Sequence, residues 1–169
     1  FIVECSQKTF DAFGFSDLSQ KESIDICQNI FSDYLDGNTL MTNANHIRGS
    51  AWIKFPRVLC EKWSHKNIVL LGDAAATAHF SIGSGTKLAL ESAISLANNL
   101  FTENNYTDAF KKYEEERKLE VLRLQSAARN SVEWFEDVER YLDLDPMQLK
   151  YSLLTRSQRI SHENLRERD

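Results

Sequence analysis

Apolar residues recur at helical spacing along much of the chain and condense elsewhere into short unbroken runs. Ala89, Ala93, Leu96, Ala97 and Leu100 fall at i, i+4, i+7, i+8 and i+11. This stripe, with small residues for close approach, predicts a helix opening after Gly85. Asn104-Asn105 interrupts it, and Thr107 is the expected cap of the next helix. There Phe110, Tyr113, Val121, Leu124, Ala128, Val132, Phe135 and Leu142 hold one register. Unbroken, about 36 residues would reach ~54 Å, so a bend is expected near Asn130-Ser131. Upstream, Ile24, Cys27, Phe31 and Tyr34-Leu35 keep helical spacing opposite the polar Lys21, Asp25 and Asn29. Ser16 or Asp17 is the expected cap there, and Asp36-Gly37 the end. Asp145-Pro146 opens a further short helix, with proline in its first turn. The charged stretch from Ser157 to Asp169 reads as a linker or surface helix.

The unbroken runs predict strands. Phe1-Ile2-Val3-Glu4-Cys5 reads as a strand separated from its partners. Its unpaired edge would allow copies of the chain to associate as a homo-oligomer. Ile47 to Phe55 and Arg57 to Cys60 are two β-like runs, with Pro56 between them removing a ladder donor. After a polar turn at Trp63-Ser64-His65-Lys66-Asn67, Ile68 to Leu71 is wholly apolar. That is the pattern of a strand covered on both faces.

Composition narrows the function classes. A chain of 169 residues holds one domain or pieces of two. Its net charge of -5 and lack of a Lys/Arg stripe argue against a nucleic-acid partner. No apolar stretch nears the ~20 residues that span a bilayer, so no membrane partner is expected. Cys5, Cys27 and Cys60 are odd in number and lack metal-ligand spacing, which reads as reduced thiols in a cytoplasmic protein with no metal. Glu114-Glu115-Glu116 reads as a solvated face and Trp134-Phe135 as core.

The most specific chemistry lies at residues 68–93. An apolar run ends on Gly72-Asp73, crosses a loop, and re-enters a helix through Gly83-Ser84-Gly85. One carboxylate at a strand end then faces a glycine-lined helix N-terminus, between which a cofactor with hydroxyls and a partly anionic ring can be held. Gly72 permits close backbone approach. Asp73 either accepts hydrogen bonds from such hydroxyls or caps the next turn. The first turn after Ser84 offers orphan N–H groups and about +0.5 of an elementary charge. Thr86 and Lys87 lie in it, Lys87 being either a contributor of positive charge or a solvated surface lysine. His79 and Phe80 occupy the intervening loop, where they would orient and line the pocket of a ring-shaped substrate; a hydrogen-bonded structural histidine is the other reading. No residue presents itself as a catalytic acid, base or nucleophile.

Val69-Leu70-Leu71-Gly72-Asp73-Ala74-Ala75, followed by Gly83-x-Gly85 and Ala89-x-Glu91, resembles the second flavin motif of FAD-dependent aromatic hydroxylases of the para-hydroxybenzoate hydroxylase-like group. Ala78 to Ala89, Trp134-Phe135-Glu136 and Tyr151 to Arg166 are similar to the branch acting on aromatic CoA thioesters, the salicylyl-CoA hydroxylases and aminobenzoyl-CoA monooxygenases. The resemblance implies an α/β class, as a mainly helical α+β fragment. It would be the C-terminal part of the FAD-binding Rossmann-like monooxygenase fold with a remnant of the substrate-domain sheet. Residues 1–56 would end that sheet domain and add a helix, 57–104 carry the flavin contact, and 105–169 form the C-terminal helices and tail. It further implies FAD held by Gly72, Asp73, Gly83, Ser84, Gly85, Thr86 and Lys87, NAD(P)H as reductant, and an aromatic acyl-CoA or other small aromatic substrate beside His79 and Phe80. The chain departs from the family's usual pattern at Ala76, where many members have His, and at Ser92, where they have Asp. It also contains no G-x-G-x-x-G strand–helix unit for the ADP half of FAD. The isolated chain is therefore expected to lack the N-terminal Rossmann half, to bind FAD poorly, and to be inactive. Two alternatives remain: a non-enzymatic helical module that binds a partner, and a flavin-dependent halogenase or reductase of the same fold.

Overall fold

The computed structural model describes residues 1–42 and 52–167, which divide into two compact units at Lys54/Phe55. In the first unit, α1 (Gln7–Ala12) is capped by Ser6, and α2 (Gln20–Ile30) is followed by α3 (Ser32–Leu35). The cap of α2 is Ser19, in place of the expected Ser16 or Asp17. Ser19 and Glu22 form a reciprocal capping box that satisfies two orphan donors together. The left-handed Asp36 and Gly37 end the helical stretch where expected. Phe10, Phe15 and Trp52 make an aromatic knot, with Phe15 and Trp52 ring centroids 4.6 Å apart. Phe1 to Cys5 forms no strand, because no ladder partner exists for it among the described residues. The Ile47–Phe55 run lies outside the described residues up to position 51, and residues 52–55 form no strand.

The second unit is two packed helices with a small β element against one end. β1 (Ser64–His65) and β2 (Ile68–Val69) pair antiparallel as a hairpin turned through the left-handed Lys66. The expected doubly covered strand at 68–71 is thus only two residues long. One face is solvated, Ile68 being 63% exposed. Arg57 to Cys60 contributes a single bridge, Leu59 to Ala76, flanked by Thr77 N–H donating to Val58 O and Cys60 N–H to Ala75 O.

A 3-10 turn at Gly72–Ala74 and another at Phe80–Ile82 lead into α4 (Gly85–Thr102). α5 (Tyr106–Glu136) runs 31 residues without interruption through Asn130 and Ser131. It ends at Glu136, several residues past the expected bend. Asn105, rather than Thr107, caps it by accepting from Asp108 N–H. α6 (Pro146–Thr155) begins at the predicted Asp145-Pro146, and α7 (His162–Arg166) makes a surface helix of the charged tail.

Trp63, Ala75, Ala76, Leu88, Tyr113 and Val121 form the core. Trp63, expected in a polar turn, is the anchor of that core at 1% exposure. The buried face of α4 is Leu88, Ser92 and Asn99, rotated from the predicted stripe, so that Leu90, Ile94, Leu100 and Phe101 face outward. The polar side chains on the inner face are explained by α5. Asn99 donates to Glu116 at 2.9 Å, and Ser92 lies in hydrogen-bonding reach of the buried Tyr113 hydroxyl.

Candidate functional site

Gly72 sits where the β hairpin meets α4, and two independent constraints demand glycine. Its φ is +58°, and a Cβ built on it would stand 3.3 Å from the Ala89 Cβ. A side chain here would strain the backbone and push the turn off the helix. This close approach brings Gly72, Asp73 and Gly85 onto the walls of one cleft, together with Trp63, Leu88 and Ser92. The cleft's volume is about 10 Å³, room for roughly one water. No organic ring enters it. A ligand using both walls must lie outside, over the exposed Asp73 and the exposed first turn of α4.

Both walls are chemically open. Asp73 is exposed and caps no backbone amide among the described residues, so the capping alternative is not the one adopted. Gly83, left-handed at φ +60°, closes the Phe80–Ile82 turn and redirects the chain into α4. Ser84 is buried, but its hydroxyl donates to Ile82 O at 3.1 Å and makes no cap. The first intrahelical bond is Leu88 N–H to Ser84 O. The earlier amides of Gly85, Thr86 and Lys87 are thereby left for solvent or an anionic group. Lys87 is exposed and pairs with Glu91 at 3.6 Å. Glu91 also takes Arg117 at 2.9 Å, and that hydrogen bond holds its carboxyl below the usual glutamate range.

His79 and Phe80 stand in the loop between the walls, with ring centroids 4.3 Å apart. Ser81 N–H donates to His79 Nδ1 at 3.2 Å, which makes Nδ1 the acceptor and puts the proton of the neutral ring on Nε2. Phe55, not singled out by sequence pattern, packs edge-to-face on both rings.

Two polar residues that sequence reasoning missed, the buried Gln125 and the half-buried Arg156, hold this region. Gln125 on α5 donates to Val58 O and Thr77 O, both at 2.8 Å, and accepts from Arg57. Arg156, just past α6, donates to Ser131 Oγ, Leu153 O and Ser81 O while lying over the Phe135 ring. It therefore ties the C-terminal helices to the His79–Ser84 loop. A glutamine within an otherwise apolar helical register was the available signal for Gln125. Arg156 had none. The acidic run Glu114-Glu115-Glu116 is only partly a solvated face. Glu114 accepts from Trp63 N–H, and Glu116 accepts from Ser95 and Asn99.

A turn carboxylate thus stands beside an uncapped helix tip, and sequence relatives give the class. The chain is 38% identical to salicyloyl-CoA 5-hydroxylase of Streptomyces sp over 93% of its length. It is 40% identical to 3-hydroxy-4-methyl-anthranilyl-[aryl-carrier protein] 5-monooxygenase of Streptosporangium sibiricum over 80%, and 35% identical to protodeoxyviolaceinate monooxygenase of Chromobacterium violaceum over 85%. It spans 32%, 36% and 38% of those proteins, about a third of each. No family model matches the chain. Among solved structures, PqsL of Pseudomonas aeruginosa, crystallised with 2-aminobenzoylacetate, aligns with TM-score 0.47 and 27% identity over 53% of this chain and 25% of PqsL. Over most of its length the chain is similar to hydroxylases and monooxygenases of aromatic substrates. Within them its similarity is to the salicyloyl-CoA hydroxylase branch.

Proposed function

We propose that the chain is the C-terminal part of an FAD-dependent monooxygenase that hydroxylates an aromatic substrate, presented as an acyl-CoA or carrier-bound thioester, using NAD(P)H and O2. The single observation carrying this reading is the approach of Gly72-Asp73 to the uncapped tip of α4 in a chain with monooxygenase relatives. The residues present fit the isoalloxazine and ribityl half of FAD. An exposed carboxylate suits sugar-like hydroxyls, and free amides with a positive helix end suit an anionic ring edge. FAD, when bound, supplies the redox and oxygen-activating chemistry.

The chain's own residues bind and orient. Asp73 accepts hydrogen bonds from ribityl hydroxyls. Gly83, Ser84 and Gly85 shape the turn that aims the amides of Gly85, Thr86 and Lys87 at the ring, and Lys87 adds positive charge near it. His79 orients the substrate, and Phe80 lines its ring. Residues 1–56 are assigned to the end of the substrate-binding sheet domain, 57–104 to the flavin contact and 105–169 to the C-terminal helices, in a cytoplasmic enzyme.

The test is FAD titration of the full-length gene product. A charge-assisted hydrogen bond is worth ~1.5–3 kcal/mol, so Asp73→Ala should weaken FAD binding by roughly 10–150-fold. Unchanged FAD affinity in that variant, or a full-length protein that takes up no FAD, refutes the reading. The partner-binding alternative draws support from the outward row Leu90, Ile94 and Phe101 on α4, exposed 61%, 61% and 91%. A flavin-free full-length protein would favour it.

A further inference from the structure

We infer that Phe55 is a specificity-determining residue, its ring forming with His79 and Phe80 a three-sided aromatic wall that receives the planar ring of the substrate. The inference rests on the monooxygenase reading above and extends it to a residue that no motif marks. Phe55 remains 59% exposed although its ring meets His79 at 5.7 Å and Phe80 at 5.1 Å, both edge-to-face. Each T-shaped contact pairs the edge of one ring with a face of the other, and the exposure of Phe55 leaves surface for a further aromatic partner.

The ring is also held from its backbone. Pro56 follows it with a fixed φ. Thr77 Oγ1 donates to Pro56 O at 3.2 Å and accepts from Val58 N–H at 2.8 Å, and the next residue, Arg57, is tied to Gln125. Phe55 is thus fastened to the segment that leads into His79 and Phe80. On the other side, His79 is fastened by Ser81 N–H, and Ser81 O by Arg156. Three rings from two separate stretches of chain are preorganised against one another, His79 and Phe80 in close contact and Phe55 edge-to-face on both. Phe80, 39% exposed, shares the open surface.

The test compares wild-type and Phe55→Leu full-length proteins, with salicyloyl-CoA as the aromatic probe and acetyl-CoA as the control lacking a ring. Binding is read from perturbation of the flavin absorbance and from KM, and FAD affinity is measured separately. Leucine keeps apolar bulk and removes the ring, so salicyloyl-CoA affinity should fall about fivefold, the scale of one aromatic pair. FAD affinity and the weak binding of acetyl-CoA should stay within twofold, and Phe55→Trp should restore salicyloyl-CoA binding. Equal affinity of wild-type and Phe55→Leu proteins for salicyloyl-CoA overturns the proposal. So does a parallel loss of FAD affinity, which would make Phe55 a prop for the loop alone. Wild-type protein that binds FAD but not salicyloyl-CoA also overturns it. Failure of the underlying reading shows differently, as wild-type protein that takes up no FAD.

Discussion

Replacing Gly72 by alanine tests the geometry on which the site depends. The backbone there is left-handed, with φ +58°. A residue with a Cβ adopts that conformation at a cost of ~1–2 kcal/mol. The added methyl would also stand 3.3 Å from the Ala89 Cβ, so α4 must recede by a few tenths of an ångström. Overpacking of this kind costs ~1–3 kcal/mol. Together these give an expected loss of about 2–5 kcal/mol for Gly72→Ala. Urea unfolding followed by far-UV circular dichroism measures it as a lower midpoint at an unchanged slope. The two contributions separate in a double-mutant cycle. Ala89→Gly removes the contact but leaves the φ strain, and by itself costs ~1 kcal/mol of helix propensity. The pair should therefore show a favourable coupling of about 1 kcal/mol. A Gly72→Ala loss under ~0.5 kcal/mol would refute the argument, since left-handed backbone strain alone exceeds it. Absence of coupling with Ala89 would refute the contact half.

Gln125→Leu strands Thr77 O and should cost ~1–3 kcal/mol in the same urea assay, whereas Gln125→Glu keeps the acceptor for Arg57 but sets a buried carboxylate against Val58 O and Thr77 O and should cost at least as much. Arg156→Lys cannot reproduce the three-way donation to Ser131, Leu153 and Ser81, so amide hydrogen exchange across residues 79–84 should quicken about tenfold while α5 stays protected. Hydrogen bonds from Ser95 and then Asn99 hold the Glu116 carboxyl below its ordinary value. A carboxyl depressed in the folded state contributes stability above its unfolded pKa of ~4.3 and loses it as pH falls toward the folded value. The urea midpoint should therefore drop on acidification below about pH 5, and Glu116→Gln should flatten that limb.

Elements marked by local chemistry were legible before any coordinates. Asp145-Pro146 starts α6, Gly85 opens α4, and Asp36-Gly37 ends the upstream helices, because capping, proline and left-handed turns act over a few residues. The Gly72–Asp73 and Gly83–Gly85 segments were legible too, as their spacing alone forces a turn and a helix start. What was not legible depends on distant partners. Phe1 to Cys5 has β-forming residues but no ladder partner among the described residues. Ser19 won over Ser16 and Asp17 because only it has Glu22 at the reciprocal position. The polar inner face of α4 follows from Tyr113 and Glu116 across the interface, and the roles of Gln125, Arg156 and Phe55 from contacts far away in sequence.

α5 carries these distant contacts in sequence order. Tyr113 reaches Leu70 O, Glu114 reaches Trp63 N–H, Gln125 reaches Val58 and Thr77, Ser131 receives Arg156, and Trp134 reaches Ser152. The helix therefore works as a ruler whose graduations are fixed to one another. Inserting one residue between Tyr113 and Ser131 would swing every later graduation by about 100° and advance it ~1.5 Å, unhooking all of them at once. Natural length variation should be forbidden along this rod and accumulate in the short joint between Asp137 and Asp145.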